Sequence, residues 1–229
     1  MSKTLLSRIS ASMLKDGLSP TLEMISYALV CDEYAAGVAD EDQLQFAMCN
    51  YLDQSARRSR SLSEVINRVK EPPISEIFTE CTIMMVDAVI RSPKFIHRSL
   101  HVSSENNIKI GDGKYIKPDV AIWNDDKIIG VIECKTSLGR ARKEWKNDFE
   151  QRVEIFKGVG IKPDSVFFVV ATENSWQGFP ADDPNTLNSW FSLCPKGTWF
   201  GGGKQGELKL SDKMNQGCLK KLIQKLENL

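Results

Sequence analysis

The stretch that decides the fold is PDVAIWNDDKIIGVIECK, residues 118–135. Val120, Ile122, Ile128, Ile129, Val131 and Ile132 read as two apolar strands. Between them Asn124–Asp125–Asp126–Lys127 is a turn-rich tetrad, so the whole reads as a hairpin. Side chains alternate along a strand, so Glu133 and Lys135 point the same way. A turn centred near 126 sets Asp119 across from Glu133, because the two are equidistant from it. Three charged side chains therefore converge at one end of an otherwise apolar pair of strands. Charges embedded there are costly unless paired or bound to a cation.

Outward from the hairpin, the hydrophobic pattern sets the remaining elements. Ile74 to Ile90, with Ile77, Cys81, Met84, Met85 and Ala88 at inward spacing, predicts a helix ended by Arg91–Ser92–Pro93. Glu71–Pro72–Pro73 breaks the chain before it. Phe95 to Val102 predicts a first strand, with His97 and His101 on one of its faces, and Tyr115 to Trp123 a second. Ile128 to Lys135 is the third. Trp145, Phe149, Val153 and Phe156 recur at helical spacing, and Ser165 to Ala171, SVFFVVA, suits a fully buried strand. Helix, three-strand meander, helix, strand is an α/β order, expected to give a mixed central sheet flanked by helices.

Residues 1–70 read as a helical N-terminal extension, a cap or dimerisation element. One helix is opened by Ser19–Pro20–Thr21 and another starts near Asp40, running out into Arg57–Arg58–Ser59–Arg60, read as a solvated basic turn rather than a phosphate contact. Residues 71–229 form the core unit. Within it, residues 172–210 are rich in Gly, Pro, Asn and Asp and carry Trp176, Phe179, Trp190, Phe191, Trp199 and Phe200 before Gly201–Gly202–Gly203. They read as an irregular aromatic loop whose rings pack as core or stack on bases. Ser211 opens a last amphipathic helix with Leu219, Leu222, Ile223 and Leu226 on its apolar face.

With 229 residues the chain is long enough to bury a core without covalent staples. Its 30 basic and 30 acidic residues cancel, which excludes a global basic footprint for polyanions while leaving room for a local one. Six cysteines lack the CxxC spacing of a zinc knuckle, and most lie in apolar stretches, the pattern of a reduced, cytoplasmic protein. MSKTLLSRIS lacks the apolar run of a signal peptide, and no window has the length of a membrane span.

Two adjacent carboxylates repel, and a divalent cation with hard oxygen ligands resolves the repulsion. A lysine beside them can orient a water and offset charge on a phosphate. That is equipment for phosphodiester hydrolysis. Pro118–Asp119 and Glu133–Cys134–Lys135, on two strands within this element order, resemble the PD-(D/E)XK nucleases and their restriction-endonuclease-like core over roughly residues 73–171. The resemblance implies Mg²⁺, with Mn²⁺ as a substitute, held by Asp119, Glu133 and the Cys134 main-chain carbonyl, with Lys135 positioning the attacking water. It implies a further acidic residue from the preceding helix. Glu80, nearer the buried face, is preferred to Glu76 as a candidate catalytic residue, against its reading as a solvated glutamate. It also suggests a glutamine in the following helix, where Gln151 lies off the apolar stripe.

Ser137, Arg140, Arg142 and Lys143 follow the third strand directly, where phosphate contact or a solvated turn are the alternatives. With no nucleotide-binding Gly-rich loop in evidence, the chain is most like a type II restriction endonuclease, a homodimer on short double-stranded DNA sites. A DNA-repair, junction-resolving or transposition-associated nuclease subunit is the alternative, as is a non-catalytic DNA-binding relative or a merely salt-bridged hairpin.

Overall fold

The computed structural model describes residues 3–66, 74–111, 113–137, 142–172, 189–195, 198, 200 and 214–229, with the backbone alone at 137 and 142–146. Four helices come first: α1 (Leu5–Lys15), α2 (Leu22–Ala35), α3 (Glu41–Val65) and α4 (Ser75–Ile90). Their starts follow local chemistry. Thr21 accepts from the Met24 N–H at 3.3 Å, and Asp40 with Gln43 forms a reciprocal capping box. The basic run at 57–60 is no turn. It sits inside α3, where Arg57 pairs with buried Asp53 at 2.6 Å and Arg58 with Glu23 at 3.1 Å.

A mixed five-stranded sheet follows, in the order β1-β4-β5-β6-β7. Its strands are β1 (Leu100–Ser104), β4 (Val120–Asn124), β5 (Lys127–Ser137), β6 (Val166–Thr172) and β7 (Trp190–Cys194). β1, β4 and β5 are antiparallel neighbours, while β6 runs parallel to β5 and β7 parallel to β6. β2 (Ile108–Gly111) and β3 (Lys114–Ile116) form a separate two-stranded ribbon between β1 and β4. α5 (Arg142–Gly158) links β5 to β6, and α6 (Cys218–Leu226) comes last.

Alternation along the strands splits the core in two. Val120, Ile122, Ile132, Cys134, Phe167 and Val169 face one way, in an apolar cluster shared with Tyr27, Leu44, Phe78, Met85 and Leu222. The N-terminal helices, α4 and α6 thus cover that side of the sheet. Ala121, Val131, Phe168 and Val170 face the other way, against Phe149 and Phe156 of α5. All seven residues of β6 are buried, as a strand covered on both faces requires. None of the six cysteines forms a disulfide, and all are buried as small apolar groups. No described helix is long and apolar enough to cross a membrane.

Several expected boundaries shift. Residues 93–98 form turns, and Phe95 is buried there with its N–H donated to the Ser92 carbonyl, so the first strand starts only at Leu100. His97 therefore shares no strand face with His101, which stacks on Trp123 at 5.8 Å. The second expected strand is two: β3 stops before Lys117–Pro118–Asp119, where proline brings no N–H to a ladder. Part of the aromatic loop is strand β7, in which Trp190 and Phe191 are buried as core. Trp176, Phe179, Trp199, Gly201–Gly202–Gly203 and Glu71–Pro72–Pro73 lie outside the described residues. The last helix starts at Cys218, with Leu219, Leu222, Ile223 and Leu226 buried as expected; Ser211, its expected start, lies outside the described residues.

Candidate active site at the end of β4 and β5

The hairpin register is what brings the charged side chains together. Its turn is tight: Asn124 pairs with Lys127, and Asp125 takes a left-handed φ of 52°. Continued regularly, that turn would set residue 119 opposite 132. A bulge intervenes instead. Ile122 pairs with Gly130 but Trp123 with Ile128, leaving Ile129 as the extra residue of β5. Beyond the bulge Val120 pairs with Ile132, the last pair of the ladder, and Asp119 just before it lies beside Glu133 and Cys134. One inserted residue thus moves Glu133 onto the face shared by Ala121 and Val131, the α5 side of the sheet.

Asp119 sits just before β4, half-buried behind buried Pro118. Its Oδ2 accepts the Cys134 N–H at 2.7 Å, and its own carbonyl accepts from Ser104 Oγ at 2.9 Å. The carboxylate is thereby fixed to β5 through the main chain. Glu133 is 0% exposed. Arg152 of α5 donates from Nη1 to Glu133 Oε1 at 2.8 Å, while Oε2 is buried with no hydrogen-bond partner among the described residues. Burial pushes the Glu133 carboxyl up to about 7. Arg152 and Lys135 pull it down and Asp119 pushes it up, and burial prevails because the group has lost nearly all its water.

Two clefts meet at this corner. One, about 540 Å³, lies between α4 and the strand ends and is lined by Glu76, Glu80, Glu105, Asp119, Cys134 and Lys135. The other, about 260 Å³, lies under α5 and is lined by Glu133, Lys135, Asp148, Gln151 and Arg152. Lys135 lines both. Asp119 lines the first and Glu133 the second. Both candidate glutamates of α4 reach the larger cleft. Glu76 is exposed, whereas Glu80 is half-buried, accepts from Tyr51 Oη at 3.2 Å and is raised by burial. Gln151 lines the smaller cleft although it is exposed and off the apolar stripe.

Among the described residues no group of three or more His, Cys, Asp or Glu side chains is placed to hold a metal ion. A cation here would rest on Asp119, Glu133 and the Cys134 carbonyl, with water completing its shell, the usual manner for Mg²⁺. The unpartnered Glu133 Oε2 is the atom that fits such a ligand. Of the phosphate-contact candidates, Ser137 ends β5 and Arg142 and Lys143 open α5, but their side chains, and Arg140 altogether, lie outside the described residues.

The residue that pattern reading overlooked is Arg152. Its signal was present: three after Phe149 and four before Phe156, it lies on the inward stripe of α5, and a cation on a buried stripe calls for a carboxylate opposite. Comparison of the chain with protein-family models, with curated proteins and with solved structures found no match.

Proposed function

We propose that this chain is a Mg²⁺-dependent endonuclease that hydrolyses phosphodiester bonds of double-stranded DNA. Its α/β fold is taken as a restriction-endonuclease-like core, and its action as that of a site-specific, cytoplasmic, homodimeric enzyme of the type II restriction class. The observation that carries this reading is the bulge-set end of the hairpin: Asp119 beside Glu133 and held on the Cys134 N–H, with Lys135 reaching both clefts. A structural salt bridge has no need of a buried carboxylate oxygen left without a partner.

Mg²⁺, or Mn²⁺ in its place, supplies Lewis acidity toward the scissile phosphate. The remaining work falls to side chains. Asp119, tied to the Cys134 N–H, and Glu133 give two fixed carboxylates at the sheet end. Lys135 orients the attacking water, and its ammonium offsets the negative charge that builds on the phosphate. Arg152 is a positioning residue that favours the ionised form of Glu133 and holds its carboxylate toward α5. Glu80 contributes a further carboxylate from α4.

The Arg152–Glu133 pair also favours a second reading, a non-catalytic relative in which the arginine takes the cation's place. Incubation with plasmid and phage DNA separates the two. Discrete fragments with Mg²⁺, none with EDTA, and loss of cleavage with retained DNA binding in Glu133→Ala are the expected results. Absence of cleavage of any duplex with Mg²⁺ or Mn²⁺, or undiminished cleavage by Glu133→Ala, refutes the catalytic assignment.

A further inference from the structure

Antiparallel neighbours such as β1 and β4 need only a short turn between them. This chain instead detours through the β2–β3 ribbon, which pairs with neither. An isolated two-stranded ribbon is marginal in water, so this one must be anchored. Its inner side provides the anchor: Ile108 pairs with Ile116, and both pack against the cluster of Ala121, Phe149 and Phe168. Its outer side is wet. Lys109 lies opposite Tyr115, and both are exposed, the tyrosine at 57%. Lys114 and Lys117 are exposed as well. Residues 106–117 hold these three lysines against the single acid Asp112, a local net charge of +2 in a chain whose formal charge is zero.

The ribbon stands at the rim of the candidate site. Its base is closed by the Glu105 N–H, which donates to the Pro118 carbonyl at 3.2 Å. Glu105 and Asp119, on either side of that bond, both line the larger cleft. A two-stranded ribbon is also one of the shapes that the major groove of a duplex admits.

We propose that the β2–β3 ribbon is a duplex-binding arm, with Lys109, Lys114 and Lys117 contacting phosphates beside the scissile one and Tyr115 lying against the groove wall. The inference rests on the nuclease reading and gives the site its grip on substrate. The lysines set affinity without sequence preference, since phosphate contacts carry no sequence information.

The test is fluorescence anisotropy of a short labelled duplex with the full chain in EDTA, from about 50 to 200 mM salt. Wild type is compared with the triple variant Lys109→Ala, Lys114→Ala, Lys117→Ala, and with Lys220→Ala, Lys221→Ala, two exposed lysines of α6. Each lost phosphate contact lowers the slope of log affinity against log salt by about 0.9. The triple variant should therefore lose between about 2 and 3 from the slope and bind at least tenfold more weakly at the lower salt, while the α6 pair stays at wild type. A slope unchanged in the triple variant, or equal loss in the α6 control, overturns the arm. If that happens while wild type still cuts duplex with Mg²⁺, the nuclease reading survives. If wild type neither binds nor cuts any duplex, both fall together.

Discussion

Replacing Glu133 by Gln should make the metal-free protein less dependent on pH and, above neutrality, more stable. The carboxyl is fully buried and raised to about 7 in the folded protein, against 4.5 for an ordinary glutamate. Between those values the folded chain holds a proton that the unfolded chain has released. Stability therefore declines as pH rises through that window, the reverse of the usual salt-bridged carboxylate. The full effect is about 3 kcal/mol, present below 4.5 and gone above about 7. At about pH 5.5 some 2 kcal/mol of it remains relative to about pH 8.5. Glutamine does not titrate. Urea unfolding in EDTA at the two pH values should thus show a wild-type difference about 2 kcal/mol larger than that of the variant. Arg152, left unpaired, keeps water access through a side chain 36% exposed, so its loss of a partner costs little. Wild type and variant with the same pH dependence would refute the reasoning, because Glu133 would then titrate alike in folded and unfolded chains.

Arg152→Gln should act in the opposite sense on the same group: removing the guanidinium carries the Glu133 carboxyl above about 7, seen as a shifted carboxyl-carbon titration, and lowers stability at alkaline pH by about 1–3 kcal/mol, discounted for the arginine's exposure. Asp119→Asn keeps an oxygen to accept the Cys134 N–H, so thermal melting should barely move while DNA cleavage falls about 100-fold or more; equal losses in both would make Asp119 structural. Gln45→Ala should cost about 2–4 kcal/mol in urea unfolding, because buried Gln45 donates to the Leu193 and Asn215 carbonyls at 3.2 and 3.0 Å and accepts from the Leu219 N–H at 3.0 Å, tying α3 to β7 and α6; a loss under 1 kcal/mol would mean water replaces it.

Much of the architecture follows from short-range chemistry. The caps at Thr21 and Asp40, the apolar run of α4, the tight turn at Asp125–Asp126 and the continuous apolar β6 each depend on residues within a few positions of one another. The same locality makes Glu133 and Lys135 share a face, because alternation is a property of the strand itself. What the sequence cannot show is pairing at a distance. β7 carries no alternation, being buried throughout, and only its parallel ladder with β6 makes it a strand. The midpoint of Asp119 and Glu133 pointed to their juxtaposition, yet the turn alone would have missed it by one residue. The bulge at Ile129 shifts the register by one, and no residue pattern announces it. The Arg152–Glu133 pair likewise exists only because α5 docks on the sheet face to which that bulge turns the glutamate. Sequence by itself determined the order α4, β1, β4, β5, α5, β6, but not the β2–β3 ribbon or β7, and which charges lie embedded among apolar residues. Tertiary structure decided which of them meet, because register and helix docking are settled by the burial of whole faces rather than by neighbours along the chain.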